Sequence, residues 1–299
     1  MHFLISGASG MIGSELVSRL TARGHAITRL TRGDSSPDFY QIHWNPELEV
    51  APVLPGVPFD AVIHLAGENV GARRWDKWKK AHIRDSRVSG ARILCDAISR
   101  MKPPPRVFVS ASAVGYYGDR GDEMLDEESG PGAGFLAGVC RDLEAEVAFA
   151  GQQGIRSVSL RFGVVLSDKG GALAAMLRPF RLGLGGVMGS GRQYMSWITL
   201  DDAVRALEHC LETETLHGPV VAATPRPVTN REFAKTLGKV LNRPALLPAP
   251  SFALQLAFGE MAREMLLSSQ RVKPGKLLAT GFSFHQPELE PALRALLCR

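Results

Sequence analysis

Between His2 and Gly13 the chain passes from a short apolar strand, His2-Phe3-Leu4-Ile5-Ser6, straight into Gly7-Ala8-Ser9-Gly10-Met11-Ile12-Gly13. Three glycines at this spacing, set between a buried strand and an amphipathic helix from Met11 to about Arg23, fit few architectures. Backbone N–H groups reach phosphate oxygens only where no Cβ intervenes, so Gly7 and Gly10 clear the path, flanked by Ser9, Met11 and Ile12. Gly13 lets the helix close on the strand while its positive end faces an anion. A plain tight turn would also carry glycines. The strand before, the helix after and a second strand at Ala26-Ile27-Thr28-Arg29-Leu30 favour a pyrophosphate cradle. The pattern predicts an α/β fold of the Rossmann type, a doubly wound parallel sheet.

The second strand selects the dinucleotide. An acid about 20 residues past the glycines binds the ribose hydroxyl of NAD, whereas an arginine accommodates the 2′-phosphate of NADP. Here the strand ends Leu30-Thr31-Arg32-Gly33, and the first acid, Asp34, lies past a glycine. Arg32 can offer a phosphate two parallel charge-assisted hydrogen bonds, and Thr31 a hydroxyl. The bland alternative is an exposed loop arginine. NADP is the cofactor expected.

Strand and helix patterns alternate through the first half. Phe59 to Gly67 reads as a buried strand ending in small residues, and a long helix is expected from Trp75 to Met101 with Val88, Ala91, Leu94, Cys95 and Ile98 inward. A strand from Arg106 to Ser110 leads to Ser112 and Tyr116-Tyr117, followed by a helix from about Phe135 to Gln152 and a strand at Ser157–Arg161. Beyond Leu166 the pattern changes to an apolar helix after Gly170-Gly171 and a glycine-rich loop over 182–189. Thr229-Asn230-Arg231-Glu232 has capping-box spacing and starts a further helix, and another follows Pro287. The expected layout is an NADP-binding domain over 1–165, with 199–223 returning to it. A smaller C-terminal substrate lobe would use 166–198 and 224–299. Gly7–Gly13, Leu65–Gly67, Ser112 and Arg161 should then share one crevice at the strands' carboxyl ends.

Composition excludes little but points one way. The 35 basic and 30 acidic residues leave a charge of +5, a modest surplus. The cysteines (Cys95, Cys140, Cys210, Cys298) form no C-x-x-C pair, which suits reduced thiols and argues against a zinc or other metal site. The chain opens as its first core strand and has no apolar run of membrane-spanning length, so a cytoplasmic protein without a membrane partner is expected.

Taken together these residues resemble the extended short-chain dehydrogenase/reductase superfamily, in its epimerase and dehydratase branch. The glycine spacing, His64-Leu65-Ala66-Gly67 and Ser196-Trp197-Ile198-Thr199-Leu200-Asp201-Asp202 follow its landmarks in order. A narrower group, usually labelled "epimerase family protein", is similar at Arg73-Arg74-Trp75, Ser86-Arg87, Phe180–Gly186, Gly191-Arg192-Gln193 and in a C-terminal domain of unknown function from near Leu246. The resemblance implies an NADP-binding member with an unassigned small-molecule substrate. By position it implies that Leu65, Ala66 and Gly67 meet the adenosine, that Arg87 reaches the phosphates with His82 on the same face, and that Val165 contacts the nicotinamide end. Leu65 and Val165 also read as plain core, and His82 as a solvated helix residue.

Active members of that superfamily use a Tyr-x-x-x-Lys pair after the fifth strand together with a serine at its end. Ser112 fits the serine, but Phe135 and Val139 stand where the tyrosine and lysine are expected, and neither transfers a proton. Tyr116 or Tyr117 is the substitute donor to consider; the alternative is that one packs under the crevice and the other bonds backbone. Arg178, Arg181, Arg192 and Gln193 are candidate substrate contacts, with the glycines of 182–189 as hinges of a closing loop. The same arginines also read as solvated.

Three functions compete. The first is an NADP-dependent epimerase- or dehydratase-like oxidoreductase, and the second a non-catalytic NADP-binding redox sensor or regulator. The third, nucleic-acid binding through Arg73 to Lys80, is disfavoured because Trp75 and Trp78 would share a buried helix face and leave the lysines in water. Dimerisation through the long helices is an analogy with the superfamily.

Overall fold

The computed structural model describes residues 1–33, 40–52, 54 and 56–298; Asp34 lies outside them. Seven strands make the central sheet: β1 (His2–Ser6), β2 (Ala26–Thr31), β3 (Tyr40–His43), β4 (Ala61–His64), β5 (Val107–Ala113), β6 (Arg156–Phe162) and β7 (Gly218–Ala222). Their order is β7-β6-β5-β4-β1-β2-β3, and every neighbouring pair is parallel. The fold is thus the doubly wound α/β sheet expected, with strand order reversing between β1 and β4.

The alternation of side chains along each strand sorts the sheet into two cores. Phe3, Ile5, Ala61, Ile63, Val107 and Val109 face α1 (Met11–Ala22) and, later in the chain, α6 (Leu200–Glu212). Leu4, Leu30, Val62 and Phe108 face the opposite layer, built from α3 (Val88–Ser99) and α4 (Phe135–Gln152). A third core joins Trp197 to the buried faces of α5 (Gly171–Arg181), α7 (Asn230–Val240) and α8 (Leu289–Leu297). Thr229 caps α7 as its spacing predicts, its hydroxyl accepting from the Glu232 N–H at 3.2 Å.

One expected helix is two. The stretch from Trp75 to Met101 splits into α2 (Lys77–Asp85) and α3, with the break at Ser86-Arg87. The Ile83 carbonyl accepts from the Ser86 hydroxyl (3.3 Å) and the Arg87 guanidinium (3.2 Å), while the Arg87 N–H turns to Arg84 at 3.1 Å. Side chains therefore take a carbonyl that the next helical turn needs. The tryptophan face also needs correcting. Asp76 caps α2 by accepting from the Lys79 N–H, so Trp75 lies before the helix. Trp75 is buried, but Trp78 is 57% exposed and Lys79 only 2% exposed, paired with Glu68.

Short segments tie the C-terminal part to the sheet. The strands Met124–Leu125 and Arg271–Val272 pair in parallel. Buried Glu127 accepts from the N–H groups of Val221 (3.0 Å), Gly275 (3.1 Å) and Lys276 (3.1 Å). Asp202 likewise holds the N–H groups of His285 (2.9 Å) and Gln286 (3.0 Å), and Arg205 at 2.7 Å. Asp201, Asp202 and His285 cluster tightly, but these bonds give Asp202 a structural task. No helix among the described residues is long and apolar enough to cross a membrane.

His64 ends β4 in the core, its Nδ1 2.7 Å from the Ser6 hydroxyl on the adjacent strand and its ring edge-on to Trp44. Burial penalises the imidazolium and lowers its pKa to about 4. Because the folded value lies below the unfolded one, stability is full above about pH 6.5 and falls as pH drops towards 4. Chemical denaturation at pH 7 and at pH 4 should show His64 contributing a loss of up to about 3 kcal/mol. In His64→Asn that portion of the loss should vanish.

Candidate functional site

The turn after β1 is held by close backbone contact. Gly7 has φ +71°, and a Cβ there would lie 2.5 Å from the Leu65 carbonyl carbon and 2.6 Å from the Ala66 nitrogen. A Cβ on Gly13 would stand 2.2 Å from the Gly7 carbonyl oxygen. Either substitution would push apart the turn, α1 and the end of β4. Helix α1 opens on Gly10 with no side chain capping it, which leaves its first-turn N–H groups facing the crevice at the positive end of the helix. That is a cradle shaped for an anion.

A cavity of about 480 Å³ extends from this turn over the edge of β2. Gly7, Ser9 and Gly10 line one end, Thr31 and Arg32 the other, and Leu65, Ala66 and Gly67 its floor. Arg32 is 61% exposed and pairs with Glu47 at 3.0 Å. The Thr31 hydroxyl accepts from the Gly33 N–H at 3.2 Å. Trp44, Glu47 and Glu68 also line the cavity and escaped the sequence reading. Asn45 places Glu47 by accepting from its N–H at 3.1 Å, and Asn-Pro was a legible turn signal. The Lys79 ammonium bonded to Glu68 lowers the pKa of that carboxyl.

Arg87 lies directly beneath Gly67, where a Cβ would fall 2.9 Å from its guanidinium carbon. It donates to the carbonyls of Glu68 (3.0 Å) and Ile83 (3.2 Å), and burial lowers its pKa. His82 is turned elsewhere: its ring stacks on Trp78 at 3.6 Å and it does not line the cavity.

A second cavity of about 290 Å³ has Met11 in its lining, the residue next to Gly10 of the first. Met11, Val165, Met176, Met188, Met195 and Met265 are among its apolar lining, with Tyr194, Ser196, Ser268 and Gln270 as polar members. Its lining comes from α1, α5, the segments near 164 and 194, and the C-terminal part. That dispersal is why no local motif announced it.

Of the expected proton-transfer residues, Ser112 and Tyr117 hydrogen-bond within the protein. The Ser112 hydroxyl donates to Glu144 at 2.6 Å. Arg161 grips the same carboxylate in a fork, Nε at 2.9 Å and a terminal nitrogen at 2.7 Å, and is itself buried. Although burial disfavours the charge, Glu144 keeps the Arg161 pKa above its ordinary value. Tyr117 is fully buried, donates to the Asp126 carbonyl at 2.7 Å and accepts from Arg161 at 2.8 Å. Burial raises its pKa. Tyr116 stacks its ring on the Arg161 guanidinium at 3.6 Å.

At the tyrosine position Phe135 meets Trp75 edge-on at 5.3 Å, with the Lys80 ammonium 4.5 Å above its ring. Glu264 caps α4 from the C-terminal part, its two oxygens accepting from the N–H groups of Phe135 and Leu136 at 2.8 Å each. Val139 is buried.

The proposed substrate contacts are also placed away from the cavities. Arg178, Arg181 and Arg192 are exposed, and none lines either cavity. The buried Gln193 amide donates to the Met188 and Leu266 carbonyls, each at 3.0 Å, bracing the second cavity from behind. The 182–189 loop is not a free lid. Val187 and Gly189 exchange hydrogen bonds with Ala249 (2.9 and 2.8 Å), and a Cβ on Gly186 would stand 1.9 Å from the Leu247 oxygen.

The chain matches the family model described as NAD dependent epimerase/dehydratase over residues 3–222, and a domain of unknown function (DUF1731) over 249–296. It is 43% identical over 289 residues to an epimerase family protein of Mycobacterium bovis, spanning 97% of this chain and 95% of that one. The human epimerase family protein SDR39U1 (isoform 2), solved with NADPH, superposes with a TM-score of 0.91 at 38% identity, covering 99% of each chain. An epimerase family protein of Bacillus subtilis is 34% identical over 99% of this chain and 98% of its own.

The buried fork makes a direct prediction. Arg161→Leu leaves the Glu144 carboxylate without its cation and should cost about 3–5 kcal/mol in urea denaturation. Ser112→Ala, which removes one hydrogen bond to the same carboxylate, should cost roughly 1.5–3 kcal/mol.

Proposed function

The chain belongs to the NAD dependent epimerase/dehydratase family, and from that premise we propose that it binds NADP(H) and exchanges hydride with a small molecule in the adjoining cavity. The observation that carries this reading is the turn itself. Gly10 lines the larger cavity and Met11 the smaller, so a dinucleotide laid along the turn would reach both. The glycine cradle and the uncapped start of α1 fit a pyrophosphate. Arg32 and Thr31 would receive the 2′-phosphate, Leu65 and Ala66 the adenosine, and Val165 with Met11 the nicotinamide end. NADPH bound by the related human protein supports the choice of the phosphorylated cofactor.

Bound in this way, the cofactor supplies a hydride. The chain's own residues would orient the partners, and the proton that completes carbonyl reduction would come from solvent, because the Ser112 hydroxyl donates its hydrogen bond to Glu144 and neither Phe135 nor Val139 carries a transferable proton. That commitment favours a second reading, an NADP(H)-binding regulator without turnover. Stoichiometric NADPH oxidation on adding small carbonyl compounds supports the enzyme. Binding without oxidation across a broad carbonyl panel supports the regulator.

Cofactor choice is tested at the tip of β2. Arg32→Glu should weaken NADPH roughly 30-fold in a fluorescence titration, equivalent to about 2 kcal/mol for hydrogen bonds to a charged group, and should change NADH little. Equal losses would remove the NADP assignment. Glu47→Gln releases Arg32 from its exposed ion pair and removes a negative charge near the phosphate, so NADPH should bind a few-fold more tightly, on the scale of surface pairs.

A further inference from the structure

The two cavities differ in chemistry. The larger carries Arg29, Arg32, Glu47 and Glu68 on its wall. The smaller has no Asp, Glu, Lys, Arg or His among the residues that line it, and five of the chain's nine methionines do. Several of its polar groups are already satisfied within the protein. The Ser196 hydroxyl donates to the Gln270 carbonyl (2.8 Å) and accepts from the Val272 N–H (2.9 Å). The Ser268 hydroxyl donates to the Glu264 carbonyl at 2.6 Å, and the Gln270 amide donates to Ser268 and to the Gly118 carbonyl, both at 3.0 Å. Tyr194, with Arg271 4.7 Å from its ring centre, is the remaining hydroxyl-bearing residue of the lining.

From this lining we propose that the smaller cavity is the substrate site and selects a compact, uncharged, predominantly apolar carbonyl compound. The inference rests on the hydride-transfer reading above. A carboxylate or phosphate in this cavity would lose its hydration shell without meeting a cation, which is costly. An apolar body loses only unfavourable contact with water. Thioether side chains adapt to irregular apolar shapes, so the site favours a range of small hydrophobic bodies over one rigid outline. At about 290 Å³ it lies at the lower end of small-molecule sites, too small for a sugar nucleotide as well as a nicotinamide ring. The arginines outside it do not alter this: Arg178, Arg181 and Arg192 are exposed, and Arg271, which packs on the Tyr194 ring, donates to the Asp122 carbonyl at 3.4 Å and is not among the lining residues. Tyr194 is the group placed to donate a hydrogen bond to the carbonyl oxygen and fix which end enters.

The test uses the full chain labelled with ¹³C-methyl methionine, each signal assigned by a single Met→Leu change. Cyclohexanone, pyruvate and UDP-glucose are titrated in turn, with and without NADPH. Cyclohexanone should shift the methyl signals of Met11, Met176, Met188, Met195 and Met265 and leave Met1, Met101, Met124 and Met261 in place. Pyruvate and UDP-glucose should leave the first group unmoved. Ala172→Phe, which adds a ring at the cavity wall, should weaken cyclohexanone by about tenfold or more while NADPH affinity is kept. Tyr194→Phe should weaken it a few-fold with the same five signals still responding. The proposal is overturned if pyruvate or UDP-glucose shifts the five signals as strongly as cyclohexanone, or if cyclohexanone leaves them still. NADPH fluorescence on the same samples separates the two readings. Failure to bind NADPH ends the cofactor assignment while the methyl shifts of the protein alone still decide the cavity; NADPH binding with silent methyls ends only the cavity proposal.

Discussion

The contact on which the site depends is backbone against backbone, where Gly7 passes the end of β4. With φ +71° and room for no Cβ beside Leu65 and Ala66, this glycine lets two parallel strands deliver their turns to one point. Gly13 brings α1 into the same contact from the other side. An ordinary side chain at either position would separate the three segments by more than an ångström. The floor of the larger cavity and the exposed N–H groups of α1 would then no longer converge. The cavity is a consequence of strand order as well: β1 and β4 are neighbours whose connections leave in opposite directions, so their carboxyl ends stay uncovered.

What the fold has done with the usual proton-transfer positions follows from charge burial. Once Arg161 lies inside the protein it must be paired, and Glu144 on α4 supplies two oxygens in fork geometry. The Ser112 hydroxyl and the Tyr117 phenol satisfy what remains of that pair. A serine that donates to a buried carboxylate and a tyrosine whose proton serves a backbone carbonyl stabilise the sheet edge, and their protons are poorly available to a ligand. Above them, Phe135 accepts the Lys80 ammonium on its ring face, and Glu264 occupies the N-terminus of α4. The start of this helix has become a structural junction.

The glycine turn and the tip of β2 were legible because their signal is local. Gly7, Gly10 and Gly13 sit within seven residues, and Thr31-Arg32 closes the next strand, so period and spacing suffice to read both. The continuous apolar runs of β1 and β4 and the capping box at Thr229 were readable for the same reason. The break at Ser86-Arg87 was hidden because it depends on side chains reaching back to Ile83 and across to Glu68. The Trp75–Trp78 face failed for a related cause: Asp76 begins the helix one residue after Trp75 and turns Lys79 inward. The methionine cavity draws on positions from 11 to 270 and has no sequence period at all.

The C-terminal part is a wall of the site and not an appendage. Three carboxylates divide the work of attaching it. Glu127 and Asp202 each accept N–H groups from C-terminal residues, and Glu264 reaches in the other direction to cap α4. Charge-assisted bonds to backbone fix position more sharply than apolar contact, because they specify both distance and direction. Met265, Leu266, Ser268 and Gln270 lie between these anchors, so the cavity they help line inherits that precision while its own surface stays apolar and adaptable. Rigid attachment around a soft lining holds this wall in position while its surface stays adaptable.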